Sequence, residues 1–273
     1  TENMTTENSG GDTFDKWDEI ELNKNLLRGI YGYGFEHPSP IQKKAILPMI
    51  SGRDLIAQAQ SGTGKTATFS IGALSRIDIS AKTTQVICLS PTRELATQIT
   101  SVFNGLSQFV EKVSIITLVG GVSVEQHIRE LKSSPPHIVV GTTGRVFDMI
   151  RRRTLRTNNV KMLILDEADE MLSSGFKEQV RSIFEYLPES IQTCIFSATL
   201  PRYIFDVTDA FMNDPIKIIV KAELLTLEGI SQYYIPVTDD VQKYETLVDL
   251  YNRFSVSHCI IYTNSVRRVE DLH

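Results

Sequence analysis

The sequence predicts an α/β fold in which a parallel sheet is covered on both faces by helices. Three observations carry that prediction. Short apolar runs recur along the chain, segments with helical spacing fill most of the intervals, and Gly, Pro, Ser and Thr cluster just after the runs. Strand–helix alternation of this kind builds a parallel sheet, and the clusters fall beyond the strand ends, where such sheets bind ligands.

Taken in order, residues 1 to about 15 are polar and Gly/Ser/Thr-rich, so a disordered tail is expected, with Met4 a candidate first residue. The alternation starts at Ile20. Strands are expected at 55–58, 85–89, 115–119, 137–140, 162–165 and 193–196. Asn213-Asp214-Pro215 closes this unit, a strand-like run follows at 216–220, and 222–229 reads as a linker. Beyond it, 232–237, 241–254 and 259–262 read as strand, helix and strand, with a further helix from near Ser265. The expected organisation is a tail (1–15), one domain (16–221), a linker (222–229) and the incomplete start of a second domain (230–273). So short a second unit marks the sequence as an expected piece of a longer polypeptide.

Composition narrows the classes. A chain of 273 residues with 41% hydrophobic and 22% charged content is long and apolar enough for a full core. No apolar run reaches the length of a membrane span and no secretory signal is visible, so no membrane partner is expected. Cys88, Cys194 and Cys259 each sit in apolar runs without a CxxC pair, which reads as buried thiols in a reducing, intracellular compartment. A net charge of −5 argues against a general polyanion binder. Any nucleic acid must be held by a local basic or amide-rich patch.

The most specific signal is Ala59-Gln60-Ser61-Gly62-Thr63-Gly64-Lys65-Thr66, between the apolar run 55–58 and a segment whose apolar residues (Ala67, Phe69, Ile71, Leu74, Ile77) recur at helical spacing. Strand, glycine-rich turn and helix in this order make a phosphate-binding loop. Gly62 and Gly64 let backbone N–H groups turn inward around phosphates, and the helix start adds its positive end. Ser61 and Thr63 lie within the same turn. Lys65 then reaches the β- and γ-phosphates and the Thr66 hydroxyl ligates Mg²⁺. The strict pattern begins with Gly, and Ala59 departs from it.

The second signal is the buried run 162–165 ending in Asp166-Glu167-Ala168-Asp169. An acid at this strand end accepts Mg²⁺, mostly through water, and complements Thr66. Glu167 is placed to take a proton from a water attacking the γ-phosphate. An acidic first helical turn is the plain alternative for these residues taken alone.

With both motifs the chain resembles the DEAD-box RNA helicases, over residues 17–273, and within them the translation-initiation subgroup. Leu26-Leu27-Arg28-Gly29-Ile30-Tyr31 and the run 224–230 are similar to that subgroup in particular. The resemblance implies two RecA-like P-loop lobes with ATP between them, Mg²⁺ as cofactor, and RNA lying across both. It implies an adenine-recognition motif at Gly34-Phe35-Glu36-His37-Pro38-Ser39-Pro40-Ile41-Gln42, in which the Gln42 amide both donates to and accepts from the adenine edge. Trp17 falls where the family more often has a stacking Phe. Trp17, Phe35, Gln42, Ser61, Gly62, Thr63, Gly64, Lys65 and Thr66 are then the ATP-binding set, and Lys65, Asp166 and Glu167 the catalytic one.

The resemblance also implies RNA contacts at Pro91, Thr92, Arg93, Gly120, Gly121, Gln126, Arg129, Thr142, Gly144 and Arg145, sequence-independent because they grip phosphates. Thr143 stands where the family has Pro. Arg151, Arg152 and Arg153 read as a solvated helix end. Ser197-Ala198-Thr199 resembles the motif that couples the ATP site to RNA opening, with hydroxyls aimed at Asp169; a helix cap at Ser197 is the competing account. Residues 260–264 resemble the first motif of the second lobe, and the later motifs, which bring arginines to the γ-phosphate, have no counterpart. Slow turnover of this polypeptide alone is therefore expected. The implied location is cytoplasmic in preference to nuclear, with translation-initiation or RNA-processing proteins as partners. A non-catalytic nucleotide- and partner-binding module made by truncation, and a P-loop enzyme acting on DNA, stay open as alternatives.

Overall fold

Period-two alternation along the strands decides which side chains face which layer. The computed structural model describes residues 13–173, 175–219, 231, 233–254 and 257–273. They fall into two units, residues 1–226 and 227–273. In the first, β1 (Leu55–Gln58), β2 (Val86–Ser90), β3 (Ile115–Leu118), β4 (Ile138–Thr142), β5 (Met162–Asp166), β6 (Gln192–Ser197) and β7 (Ile216–Ile219) form one sheet. Its order is β3-β4-β2-β5-β6-β1-β7, with parallel pairing throughout.

Leu55, Ala57, Val86, Cys88, Val140, Ile164 and Phe196 share one face and one buried cluster. They pack on Ile30 of α1 (Lys24–Gly32), Ile46 of α2 (Pro40–Ile50), Phe69 of α3 (Lys65–Arg76) and Phe103 of α4 (Arg93–Leu106). Ile87, Leu89, Val139, Leu163, Leu165 and Ile195 take the other face. Their partners are Leu131 of α5 (Val124–Ser133), Met149 of α6 (Thr143–Arg151), Met171 of α7 (Ala168–Ser173), Ile183 of α8 (Lys177–Glu185) and Ile204 of α9 (Arg202–Phe211). A sheet buried on both faces explains why its strands read as continuous apolar runs.

Residues 1–12 and the expected linker 222–229 lie outside the described residues. The order begins earlier than the expected tail boundary. Phe14 is buried, its ring centroid 5.7 Å from that of Trp17, and Asp15 pairs with Lys43. One buried aromatic offsets the entropy of fixing a few residues.

In the second unit, α10 (Asp240–Arg253) and α11 (Val266–Leu272) form where helices are expected, capped by Asp239 and Ser265. The two strands expected beside them do not form. Residues 233–237 and 259–262 carry no strand pairing, and position 232 lies outside the described residues. A strand exists only with a neighbour to bond, and no partner is present among the described residues. Cys259 is exposed for the same reason, against the expectation of burial, whereas Cys88 and Cys194 are buried free thiols.

Candidate nucleotide and nucleic-acid site

Strand order decides which motifs become neighbours. All strands are parallel, so every motif that follows a strand sits on one edge of the sheet. The β5, β6 and β1 ends lie side by side, with Asp166 paired to Phe196 and Gln58 to Ser197. This brings the acidic motif, Ser197 and the glycine loop together. The other half, β3-β4-β2, carries Gly120-Gly121, Thr142 to Arg145 and Pro91 to Arg93. The two halves meet at the β2–β5 pair.

Ala59 leaves β1 with its N–H bonded to Ser197 O at 3.0 Å, is buried, and lies outside the left-handed backbone region. A methyl group is therefore tolerated where the strict pattern has Gly. Gly64 is different. Its φ is +97°, and a Cβ there would fall 2.8 Å from Nε2 of Gln42. The Gln42 amide is buried against the loop and fixed by its own helix, Oε1 accepting from Ser39 N at 2.7 Å. That leaves Nε2 as the donor facing the loop. Thr63 closes the turn through Gln60 O at 2.7 Å, and Ser61 is exposed at its tip. Thr66 follows Lys65 in the first turn of α3.

Lys65 is 5% exposed, and its Nζ lies 3.3 Å from Oε1 of Glu167. Glu167 holds φ +50°, a left-handed conformation that costs a non-glycine residue about 1–3 kcal/mol. That conformation turns its carboxylate back over the loop, where Ser61 Oγ lies 3.5 Å from the same oxygen. Asp166 is 4% exposed at the end of β5. Burial, reinforced by the Glu167 charge and only partly opposed by Lys65, pushes its carboxyl up to about 7. A buried carboxyl with one backbone donor, Glu167 N at 3.1 Å, has oxygen lone pairs left over that could ligate a hard divalent cation, and such a cation would offset the cost of burying the charge. The donor set fits Mg²⁺.

Asp169 ties the acidic motif to β6. Its Oδ2 accepts from Thr199 Oγ1 at 2.7 Å and Thr199 N at 3.2 Å, while its own N–H donates to Ser197 Oγ at 3.3 Å. Burial alone would raise this carboxyl, but the bonds from Thr199 and Ser197 outweigh it and hold the group below the usual range. Ser197 joins the two motifs by accepting from a first-turn N–H of α7, and it is not the N-cap of the helix that follows it, α9, where Pro201 holds that position. Tyr203 on α9 adds a bond to Asp169 O at 3.1 Å, a contact that nothing in the sequence pattern signals.

Trp17 corrects an expectation. It is wholly buried, and its indole N–H donates to Phe35 O at 3.0 Å. No ring face is open for stacking in this conformation. Its large apolar surface is used to anchor the segment before α1 and to hold the Phe35 backbone. Phe35 itself is half-buried and stacks on Tyr33.

On the other half of the edge, Thr92 caps α4 through Leu95 N, and Arg93 opens that helix. The Arg93 guanidinium lies over the glycine turn. A Cβ on Gly121, at φ +85°, would fall 2.6 Å from its Nη1, and one on Gly120 2.9 Å from Nη2. Gln126 and Arg129 are exposed on α5, with Gln126 Nε2 bonded to Glu130 at 2.9 Å. Thr142 stands just before α6, and Thr143 is buried at its first position, so the helix start forms without Pro. Gly144 is exposed. Arg145 Nη1 bonds Val122 O at 2.9 Å and His127 Nδ1 at 2.6 Å. His127 is a site neighbour that sequence reasoning missed. Its only signal is that it stands four residues before Leu131, on the buried stripe of α5. Arg151 and Arg152 pair with Asp148 at the exposed end of α6, as a solvated helix end does.

A protein-family model described as "DEAD/DEAH box helicase" matches residues 39–207. The chain belongs to that family. This DEAD-box chain is 54% identical over 257 residues to an ATP-dependent RNA helicase eIF4A of Eremothecium gossypii, covering 94% of the chain and 64% of the relative. It is 50% identical over 266 residues to eukaryotic initiation factor 4A of Drosophila melanogaster, covering 97% and 66%. The chain thus spans about two thirds of the length of the relatives it matches. Among solved structures, Dbp5 of Saccharomyces cerevisiae bound to RNA and ADP BeF3 superposes with a TM-score of 0.81 at 31% identity, covering 94% of this chain and 65% of that one. A DEAD box protein from Methanococcus jannaschii gives 0.74 at 33%, covering 95% and 69%. The RecA-like α/β fold of this DEAD-box chain is the one the sequence predicts.

Proposed function

We propose that this chain is the ATP-binding part of an RNA-dependent ATPase and helicase of the initiation-factor 4A type. The observation that carries the reading is the strand order, which sets a phosphate loop and its acids beside a turn-and-arginine groove on one sheet edge. Lys65 neutralises phosphate charge, and its present partner Glu167 yields that contact to the nucleotide and becomes the proton acceptor for the attacking water. Thr66 and Asp166 are the residues that would hold Mg²⁺, which would supply neutralisation of phosphate charge there. Gln42, fixed over the loop, selects adenine. Arg93, Arg129, Arg145 and the glycine turn grip RNA phosphates, so binding is sequence-independent. Asp169, Ser197 and Thr199 pass the state of one half to the other. We place its action in the cytoplasm, beside translation-initiation proteins, and the eIF4A relatives are the support for that.

Titration with Mg-ATP, with and without oligo(U) RNA, tests the reading. Lys65→Ala should lose nucleotide binding; Glu167→Gln should keep it while losing phosphate release. Equal loss of binding in both would remove Glu167 from its assigned role.

A further inference from the structure

The Arg145–His127 contact is unusual in chemistry. The guanidinium has donors only, so the imidazole must accept at Nδ1, which it does only when neutral and protonated at Nε2. His127 is 1% exposed, and its backbone N–H donates to Ser123 O at the start of α5. Arg145 shares the same Nη1 with Val122 O in the segment after the glycine turn. One guanidinium thus joins three elements proposed to touch RNA: the turn after β3, α5 with Gln126 and Arg129, and the start of α6.

We propose that His127 is a positioning residue for RNA binding: neutral, it sets Arg145 and locks the three elements together; protonated, it repels Arg145 and loosens the groove. The inference rests on the reading of these elements as an RNA groove. The charged groups whose fields reach the imidazole are Arg145 from α6, which disfavours protonation, and Glu130 from its own helix, which favours it. Burial, the largest influence, also disfavours protonation, so the ring titrates below the usual histidine range. At neutral pH the lock is closed. It opens only under acid conditions, when two cations would face each other at hydrogen-bond distance.

The test is anisotropy of fluorescein-labelled oligo(U) with the whole chain, at fixed salt, at about pH 7.5 and about pH 5.5. The parent should lose more affinity on acidification than His127→Gln, whose amide oxygen accepts from Arg145 and does not titrate, by less than the about tenfold that an unshifted histidine would give over this range. His127→Ala should already be weak at the higher pH, and His127→Gln should restore it. Parallel pH dependence in parent and His127→Gln overturns this inference alone. No RNA binding at either pH overturns the RNA reading and this inference with it. Ring ¹⁵N shifts of His127 in the unaltered chain give a readout free of RNA and of variants. An unprotonated Nδ1 at neutral pH is expected; a protonated one overturns the proposal.

Discussion

Asp166 offers a perturbation whose sign runs against intuition for a site residue. Replacing it by Asn removes the charge but keeps an oxygen to accept from Glu167 N. In the unfolded chain the carboxyl titrates near 3.8, and in the fold it is held up to about 7. Below the first value both states carry the proton. Between the two values the unfolded chain is ionised while the folded one keeps its proton, so stability falls as pH rises, then levels off. A rise of about three pH units at about 1.4 kcal/mol each sets the size of the effect at about 4 kcal/mol. Without divalent cations, Asp166→Asn should therefore be more stable than the parent at about pH 8, by up to that amount, and should converge with it towards about pH 4. Urea unfolding at a series of pH values measures both curves. Added Mg²⁺ should narrow the gap at high pH by stabilising the parent alone. Equal stability at pH 8, or curves that run parallel, would refute the argument that burial and the neighbouring carboxylate raise this group.

Three further outcomes are expected from the first unit. Gln42→Ala should erase most of the preference for ATP over GTP, since an unpaired donor or acceptor in a site costs about 1–3 kcal/mol; competition titrations of the two nucleotides measure it. Trp17→Ala should destabilise the unit by about 3–5 kcal/mol by circular dichroism on urea unfolding, as deletion of a wholly buried indole does. Because Trp17 is the sole tryptophan, its emission in the parent should be that of a buried indole and change little when ATP binds. A large nucleotide-dependent quench would return Trp17 to the stacking role.

The central strands were legible because they are buried on both faces and so read as short apolar runs, such as 162–165, and the edge strands at 115–118 and 216–219 were legible from shorter and less buried apolar runs. The phosphate loop was legible because its chemistry needs fixed residues in a row. What escaped the sequence was contact between distant segments. Trp17 reads as a stacking aromatic, yet only the packing of Phe14 and Phe35 around it shows the ring enclosed. His127 and Tyr203 act through residues 18 and 34 positions away, which local pattern does not encode. The strands expected at 232–237 and 259–262 had the right local pattern and no pairing neighbour among the described residues. A strand is a property of a pair, and sequence pattern describes one member.

The parallel sheet has a second edge. The phosphate loop, the acidic motif and the glycine turn discussed above sit where strands end, so the loops that lead into strands are about 15 Å away along a five-residue strand. Lys82 before β2 and Asn159 before β5 are exposed on that side, Asn159 Nδ2 bonding Thr83 Oγ1 at 3.2 Å. Dyes, affinity tags or surface-tethering groups attached at Lys82 would leave ATP loop and arginine groove alike untouched. The molecule is thus suited to immobilisation by one edge with its working edge turned to solution.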